Sequence, residues 1–299
     1  MSVLQAIILG VLQGATEFIP VSSSGHLTLA PWLFRWQFDT TLKFAFDTLA
    51  HWGTLVAVVA VLWRDLWALA LGGLRTLGGL DLRALQGGAD LLARLRAWIA
   101  GLGERIRSDV HGRLAWLIVM GSVPAALIGF ALEDFFEMLF GTPRLVSVLL
   151  VVTAAMLAYS EWRGRKGRDL SSLNGLDALV IGLGQALAIA PGISRSGATI
   201  SSGLMRGVKR EAAARFSFLL STPVIVGAGL WQLKDLFATP AATGQLAPLA
   251  AGFLSAAISG YLCIRFLLSY LQRGRLYVFA AYCAAVGTAC FLLSFFLVG

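Results

Sequence analysis

The chain has 299 residues, of which 58% are hydrophobic and 13% charged, and its mean hydropathy is +0.78. Soluble globular proteins carry about twice that share of charged residues, so the composition excludes a soluble domain and predicts a polytopic membrane protein. The net charge of +8 comes mainly from arginines in predicted loops, which suits membrane orientation and anionic lipid; nucleic acid is not an expected partner. The three cysteines lack metal-ligand spacing and predict neither a disulfide framework nor a zinc site.

The first apolar stretch, residues 3–30, is broken in its middle by Pro20 and a run of three serines. Irregular backbone at membrane depth is stable only where protein or a wet cavity satisfies its polar groups. This stretch is therefore predicted to form a re-entrant helix-loop-helix hairpin, which enters and leaves the membrane on one side. Residues 174–206, interrupted at Pro191 and Gly192, are predicted to form a second hairpin of the same kind.

Six uninterrupted apolar stretches are long enough to cross a bilayer, which takes about 20 helical residues. They lie at residues 42–63, 114–132, 144–160, 211–231, 246–270 and 275–298. The predicted fold class is an all-α polytopic membrane protein with six transmembrane helices and two re-entrant hairpins. The whole chain, residues 1–299, is expected to form a single integral membrane domain.

The two hairpin segments repeat one another at a constant offset of 172 residues. Gln13 aligns with Gln185, and residues 22–25 align with residues 194–197. Interrupted apolar segments at corresponding positions of two halves indicate an inverted-topology repeat with its site near the membrane midplane. Repeat one is predicted to cover residues 1–160 and repeat two residues 174–299.

Basic side chains gather in loops that would all lie on one side of the membrane. Eight arginines lie within residues 64–113, and further basic residues lie within 161–173 and 206–210. Because basic loops mark the cytoplasmic side, hairpin two is predicted to open to the cytoplasm, and hairpin one with the amino terminus to the outside. The two halves would then be inverted.

The predicted cytoplasmic loop at residues 64–113 is too long for a simple connection. Apolar residues between 91 and 106 share one helical face with arginines around them. That pattern predicts an amphipathic helix lying in the cytoplasmic interface. A disordered linker is the alternative, because the loop contains several glycines.

Hairpin one places ionisable side chains at membrane depth, where they are costly and mark a functional site. Gln13 and Glu17 are four residues apart and share one face of the first half-helix. His26 begins the second half-helix, directly after Ser23, Ser24 and a glycine. A histidine beside a carboxylate could serve as a nucleophile or a general base, although a satisfied core histidine is the alternative.

Hairpin two carries a matching group around Arg195. Ser194, Ser196 and Thr199 flank this arginine where a helix is predicted to begin. Free N–H groups and the positive end of a helix dipole bind anions there, and arginine adds a two-pronged grip on phosphate. A structural ion pair between Arg195 and Glu17 is the alternative.

Weaker candidates complete the predicted site. Gln13 and Gln185 occupy equivalent positions of the repeat, and Asp47 lies one helical turn before His51 at the start of the first full span. A purely structural role fits Asp47 and His51 equally well. Glu17 could also hold one divalent cation, magnesium or calcium, through a carboxylate oxygen.

Two motifs now connect the chain with a known family. Q-G-A-T-E-F-I-P-V-S-S-S-G-H at residues 13–26 and P-G-I-S-R-S-G-A-T at 191–199 closely resemble the signature regions of the undecaprenyl-diphosphate phosphatases of the bacitracin-resistance type. F-D-T-L-A-H-W-G at 46–53 and E-A-A-A-R-F-S-F-L-L at 211–220 also resemble that family, so the likeness covers nearly the whole chain.

The resemblance implies two inverted re-entrant hairpins and hydrolysis of undecaprenyl diphosphate to the monophosphate. This reaction would recycle the lipid carrier of peptidoglycan synthesis at the outer face of the bacterial plasma membrane and confer bacitracin resistance. The expected partners are a polyprenyl diphosphate lipid and the membrane, with a homodimer as the alternative to a monomer. A transporter or flippase of a phospho-lipid or anion is the alternative function, because broken helices in inverted repeats are transporter architecture.

The resemblance also implies roles for individual residues. Glu17, His26 and Arg195 stand at catalytic positions. We expect His26, oriented or kept basic by Glu17, to be the nucleophile or the base that activates water, with a serine of residues 22–24 as the rival nucleophile. The residues implied in diphosphate binding are Ser23, Ser24, Ser194, Arg195, Ser196 and Thr199. Gln13 occupies a place where many members carry glutamate, which weakens any mechanism that needs two carboxylates, including a metal ion held by both.

Overall fold

The computed structural model describes residues 1–78, 91–140, 142–164, 167–237 and 244–297. Regular structure within these ranges is helical, apart from one isolated β-bridge between Arg168 and Val208. The helices are α1 (Val3–Phe18), α2 (Ser23–Leu33), α3 (Thr40–Leu77), α4 (Leu91–Ser108), α5 (Val110–Ala131), α6 (Glu133–Phe140), α7 (Pro143–Arg163), α8 (Gly175–Leu187), α9 (Arg195–Met205), α10 (Arg210–Phe237), α11 (Leu246–Leu271) and α12 (Tyr277–Leu293).

Each predicted hairpin segment forms two helices joined by a short loop. α1 and α2 are joined by residues 19–22, and α8 and α9 by residues 188–194. Capping boxes start the first helix of each hairpin, with Ser2 before α1 and Asn174 before α8. The longest of these four helices has 16 residues, fewer than the roughly 20 that span a bilayer. Each helix of a hairpin can therefore reach only part of the way across a bilayer.

Each of the six predicted spans coincides with a helix. Five helices of the described chain are long and apolar enough to cross a membrane: Thr40–Leu77, Val110–Ala131, Pro143–Arg163, Leu246–Leu271 and the Arg210–Gln232 part of α10. The sixth, α12, is apolar but has only 17 residues. Large apolar side chains such as Leu127 and Ile258 lie exposed on the outer faces, as expected where acyl chains surround the protein. The chain is a polytopic membrane protein.

The connection predicted at residues 64–113 is shorter than expected, because α3 continues to Leu77. The prediction of a loop from residue 64 was wrong, since a charged pair at residues 64–65 does not end a helix whose apolar face continues. Leu69 on this extension is buried. Leu62 departs from helical geometry, with φ −107° and ψ 19°, and so kinks the helix just before the charged pair.

The helix predicted within this connection is present as α4, so a disordered linker is wrong for residues 91–108. Arg105 joins α4 to the end of α3, because its Nε donates to the Thr76 carbonyl at 2.9 Å. The position of α4 in the cytoplasmic interface stays a prediction. Residues 79–90, which hold Arg83 and several of the linker glycines, lie outside the described residues.

Each hairpin packs against a helix from the opposite half of the chain. α1 makes its largest contact with α11, and α8 makes its largest contact with α5. Glycines permit this approach: a Cβ on Gly10 would clash with the Gly252 carbonyl, and a Cβ on Gly182 would clash with the Gly121 carbonyl. Gly10 and Gly182 are themselves separated by the repeat offset of 172 residues. Equivalent positions therefore make equivalent contacts, and both loops are held inside the helical bundle.

Candidate active site

The two hairpin loops meet inside the bundle. Arg195 Nη2 donates to Glu17 Oε1 at 2.8 Å, although the two residues are 178 apart in the chain. Close by, the Ser196 hydroxyl donates to the Ile19 carbonyl at 3.3 Å. The side chains of Glu17 and Arg195 are only 6% and 15% exposed. The ion pair that the sequence left open is thus formed, and it lies where the hairpins touch.

Besides Arg195, Glu17 is surrounded by polar side chains from three helices. The Ser23 hydroxyl donates to Glu17 Oε2 at 2.6 Å, and Gln13 Nε2 donates to the same oxygen at 3.1 Å. His51 Nε2 lies 4.0 Å from it. A buried carboxylate stays charged only if cations and hydrogen bonds replace its hydration. These neighbours provide that replacement.

Two polar atoms at this centre have no hydrogen-bond partner among the described residues. They are Arg195 Nη1 and Gln13 Oε1. Buried donors and acceptors are normally paired, so a guanidinium with one free amino group is ready for a ligand oxygen. The planar geometry of guanidinium suits two oxygens of a phosphate.

Both loops start their second helix with the same N-cap. The Ser22 hydroxyl accepts from the Gly25 N–H at 3.2 Å, and the Ser194 hydroxyl accepts from the Gly197 N–H at 3.0 Å. A second hydroxyl approaches each cap: Ser24 lies 3.3 Å from Ser22, and Ser196 lies 3.2 Å from Ser194. The N-termini of α2 and α9, which are the positive ends of the helix dipoles, therefore lie at the two loops that meet. This arrangement favours the binding of an anion.

Both loops also contain an unusual backbone conformation. Ser22 has φ +72°, a value rare for any residue other than glycine, and Gly192 has φ +99°. The Ser22 carbonyl is held by the Nδ1–H of His26 at 2.7 Å. Glycine adopts such a φ without strain, whereas Ser22 is strained. Strained residues cluster at functional sites, where the surrounding structure holds them in place.

His26 does not contact Glu17. Its Nδ1 is bonded to the Ser22 carbonyl, and its Nε2 lies 2.8 Å from the Tyr282 hydroxyl on α12. The prediction that Glu17 orients His26 was therefore wrong. One ring nitrogen of His26 faces Ser22 and the other faces Tyr282. The histidine that faces Glu17 is His51.

Thr199 lies behind Arg195. Its hydroxyl donates to the Arg195 carbonyl at 2.8 Å and lies 2.6 Å from the Ser217 hydroxyl on α10. Thr199 is fully buried in this contact. The geometry gives Thr199 the role of fixing the start of α9, and a direct contact with diphosphate would require these bonds to break.

Of the secondary candidates, Asp47 lies on α3 one turn before His51, and Gln185 lies in the last turn of α8. Asp47 pairs with Lys43 at 2.5 Å, and its carbonyl accepts from His51 Nδ1 at 2.7 Å. Gln185 is 2% exposed, and neither atom of its amide has a partner among the described residues. Ile189 stands where Glu17 stands in the other half, so Gln185 lacks the carboxylate that Gln13 binds.

The residues of this centre do not fit a protein-held metal site. Within the described ranges, no group of three or more His, Cys, Asp and Glu side chains comes together in a way that could hold a metal ion. Both oxygens of Glu17 are already engaged, by Arg195 on one side and by Ser23 and Gln13 on the other.

Three polar residues of the site were missed at the sequence level. Tyr282 meets His26, and Ser217 meets Thr199. Thr153 on α7 accepts from the Ser194 N–H at 3.1 Å and donates to a carbonyl of the same loop. Their only sequence signal is a single hydroxyl within an apolar span, which is too common in membrane helices to mark a site.

The paired hairpins define a polytopic membrane protein with a buried polar centre at the hairpin junction, where Arg195 is incompletely bonded. The chain belongs to the bacitracin-resistance family: the family model described as "Bacitracin resistance protein BacA" matches residues 6–289. Similar proteins include the undecaprenyl-diphosphatases of Moorella thermoacetica, 43% identical over 94% of both chains, and of Thermomicrobium roseum, 42% identical over 98% of both. A third, from Methanosphaera stadtmanae, is 41% identical over 98% of this chain and 99% of its own.

Proposed function

We propose that this chain is an undecaprenyl-diphosphatase, an enzyme that hydrolyses undecaprenyl diphosphate to undecaprenyl phosphate and inorganic phosphate. The printed names of its full-length relatives support this activity. The observation that carries it structurally is the buried Arg195, which is bound on one side by Glu17 and has a free Nη1 on the other. A phosphate oxygen is the ligand that best completes this arrangement.

In the proposed reaction the terminal phosphate lies between the two loops. Arg195 and the free N–H groups at the starts of α2 and α9 would neutralise charge on the transferred phosphoryl group. His26 Nε2 attacks phosphorus or takes a proton from the attacking water. The bond between phosphorus and the bridging oxygen breaks, and undecaprenyl phosphate leaves. Where His26 attacks, water then releases inorganic phosphate from the imidazole.

Glu17 has a supporting role in this scheme. Its Oε1 holds Arg195 and its Oε2 accepts the Ser23 hydroxyl, so one carboxylate sets the position of both side chains. Ser23 remains the rival nucleophile, since a serine hydroxyl 2.6 Å from a carboxylate has a base within reach.

The proposed architecture is an inverted repeat with six spans, including the shorter α12. Three observations support it: the two similar hairpins, the matching serine caps, and the exchange of helices by which α1 packs on α11 and α8 on α5. With the basic loops in the cytoplasm, hairpin one opens outward. The protein would then act in the bacterial cell membrane, with its site toward the outer face, and recycle the lipid carrier of peptidoglycan synthesis.

The decisive assay measures inorganic phosphate released from undecaprenyl diphosphate by the purified protein in detergent. Arg195→Ala should lower kcat/KM by about 10²–10³-fold, because one donor to the transition-state charge is lost. Arg265→Ala is the matched control, since this arginine lies on α11, is exposed, and binds only Tyr261 among the described residues. Monodisperse elution of both variants would show that they are folded.

The same assay separates hydrolysis from transport. Detergent provides no two-sided membrane, so a transporter of a phospho-lipid would release no phosphate. Absence of phosphate from the wild-type protein would contradict the proposed activity, and near-normal activity in Arg195→Ala would contradict the role of this arginine.

A further inference from the structure

Tyr282 on the last helix is bonded to the histidine of the first hairpin. Its hydroxyl lies 2.8 Å from His26 Nε2, across 256 residues of chain. The two rings are nearly parallel, with an interplanar angle of 12° and centroids 5.7 Å apart. Ring contact and hydrogen bond together leave His26 little freedom to rotate.

The other nitrogen of His26 determines the direction of this bond. Nδ1 faces the Ser22 carbonyl at 2.7 Å, and a carbonyl oxygen can only accept, so Nδ1 carries a proton. In the neutral imidazole, Nε2 then holds the lone pair and accepts the Tyr282 hydroxyl proton. Nε2 is the nitrogen that a reaction at phosphorus requires.

We propose that Tyr282 is a positioning residue, which holds the His26 ring with its Nε2 lone pair in the direction required for attack. This inference rests on the proposed function, because it assigns Tyr282 a part in that reaction. When the phosphoryl group binds, it takes the place of the Tyr282 hydroxyl at Nε2. The hydroxyl thus marks the side from which phosphorus approaches.

The surroundings of Tyr282 support this role. His26 is 7% exposed, whereas Tyr282, whose ring contacts it, is 44% exposed. The helix behind Tyr282 is fixed, since Cys283 Sγ lies 3.8 Å from the Pro20 carbonyl in the first loop. A Cβ on Gly287, one turn further along, would meet the Ser147 carbonyl of α7 at 2.8 Å. A fixed backbone lets one hydroxyl set the orientation of the ring.

Nitrogen NMR tests the hydrogen bond without substrate. The chain has three histidines, so ¹⁵N-histidine labelling gives few signals, and His26→Asn identifies those of His26. We expect a protonated Nδ1 and an unprotonated, hydrogen-bonded Nε2 in the wild type. Tyr282→Phe should move the Nε2 signal toward that of a free imidazole. Tyr277→Phe, the same change on the same helix, should leave it in place.

Kinetics test the consequence. Tyr282→Phe keeps the ring and loses one hydrogen bond, so kcat should fall by about 3- to 10-fold while KM changes less than twofold. Tyr277→Phe should match the wild type in both constants. An Nε2 signal that does not respond, or an unchanged or raised kcat, would overturn the inference. Phosphate release by the wild type would leave the proposed function standing in either case.

Discussion

Glu17 and Arg195 are the charged pair around which the site is arranged, and their burial makes them costly to separate. Breaking a buried pair by removing one partner typically destabilises a protein by about 3–5 kcal/mol, because the remaining charge is left uncompensated. Removing both charges often has little effect on stability. Any buried pair shows this asymmetry in stability, so only the activity of the double variant distinguishes a functional pair from a purely structural one.

We predict that Glu17→Gln and Arg195→Gln each lower the unfolding temperature, measured by thermal melting in detergent. The double variant should recover most of the lost stability, because no unpaired charge remains buried. It should not recover phosphate release, because the guanidinium needed for the phosphoryl group is absent. A double variant that is both stable and active would mean that the pair serves the fold alone.

At the scale of elements, small residues set how closely the hairpins pack. A Cβ on Gly14 would meet the Gly260 backbone nitrogen at 2.7 Å and clash with the Ala256 carbonyl. The helix–helix contact is therefore a backbone contact, of the kind that small residues allow between membrane helices. Because Glu17 lies in the last turn of α1, any shift of α1 away from α11 moves the site.

Alanine at Gly14 should lower the unfolding temperature by an amount equivalent to about 1–3 kcal/mol and reduce activity, because it overpacks this contact. Gly227→Ala is the matched control: it lies in α10, has open space around its Cβ position, and should be neutral or stabilising by up to about 1 kcal/mol. Thermal melting of both variants checks the difference. Equal stability of the two variants would mean that α1 does not need its close approach to α11.

At the scale of the whole molecule, the arrangement of the two halves decides which side the site faces. Residues 34–39 connect hairpin one to α3, and α4 ends at Ser108, one residue before its connection to α5. In the proposed arrangement of six crossings and two re-entrant hairpins, these two points lie on opposite sides of the membrane, because α3 crosses between them.

Single cysteines test this arrangement in a background in which the three native cysteines, Cys263, Cys283 and Cys290, are replaced by alanine. Gln37 and Ser108 are both exposed. A membrane-impermeant maleimide should label Gln37→Cys in intact cells, and Ser108→Cys only after the membrane is permeabilised. The reverse pattern would show that the orientation is wrong, and labelling of both from outside would contradict the crossing of α3.

Local properties of the sequence were enough to predict the membrane class and the two broken helical segments, and they singled out polar residues that the structure places at the junction of the two loops. Hydropathy, proline and serine act over a few residues, so the breaks at Pro20 and at Pro191 indicate turns without any knowledge of the packing. Sequence symmetry also related Ser22 to Ser194, and the structure gives both the same cap. Local charge was less reliable: the charged pair at residues 64–65 led to a predicted loop where α3 continues to Leu77.

Only the tertiary structure decided which side chains meet. Glu17 and His26 are separated by one short loop, yet Glu17 binds Arg195 and His26 binds Tyr282. A turn between two half-helices sends their side chains in different directions, whereas helix packing brings together residues 178 and 256 positions apart. Hydropathy makes each helix apolar but does not say which helix it will face. That choice depends on the fit of small residues and polar atoms across the bundle.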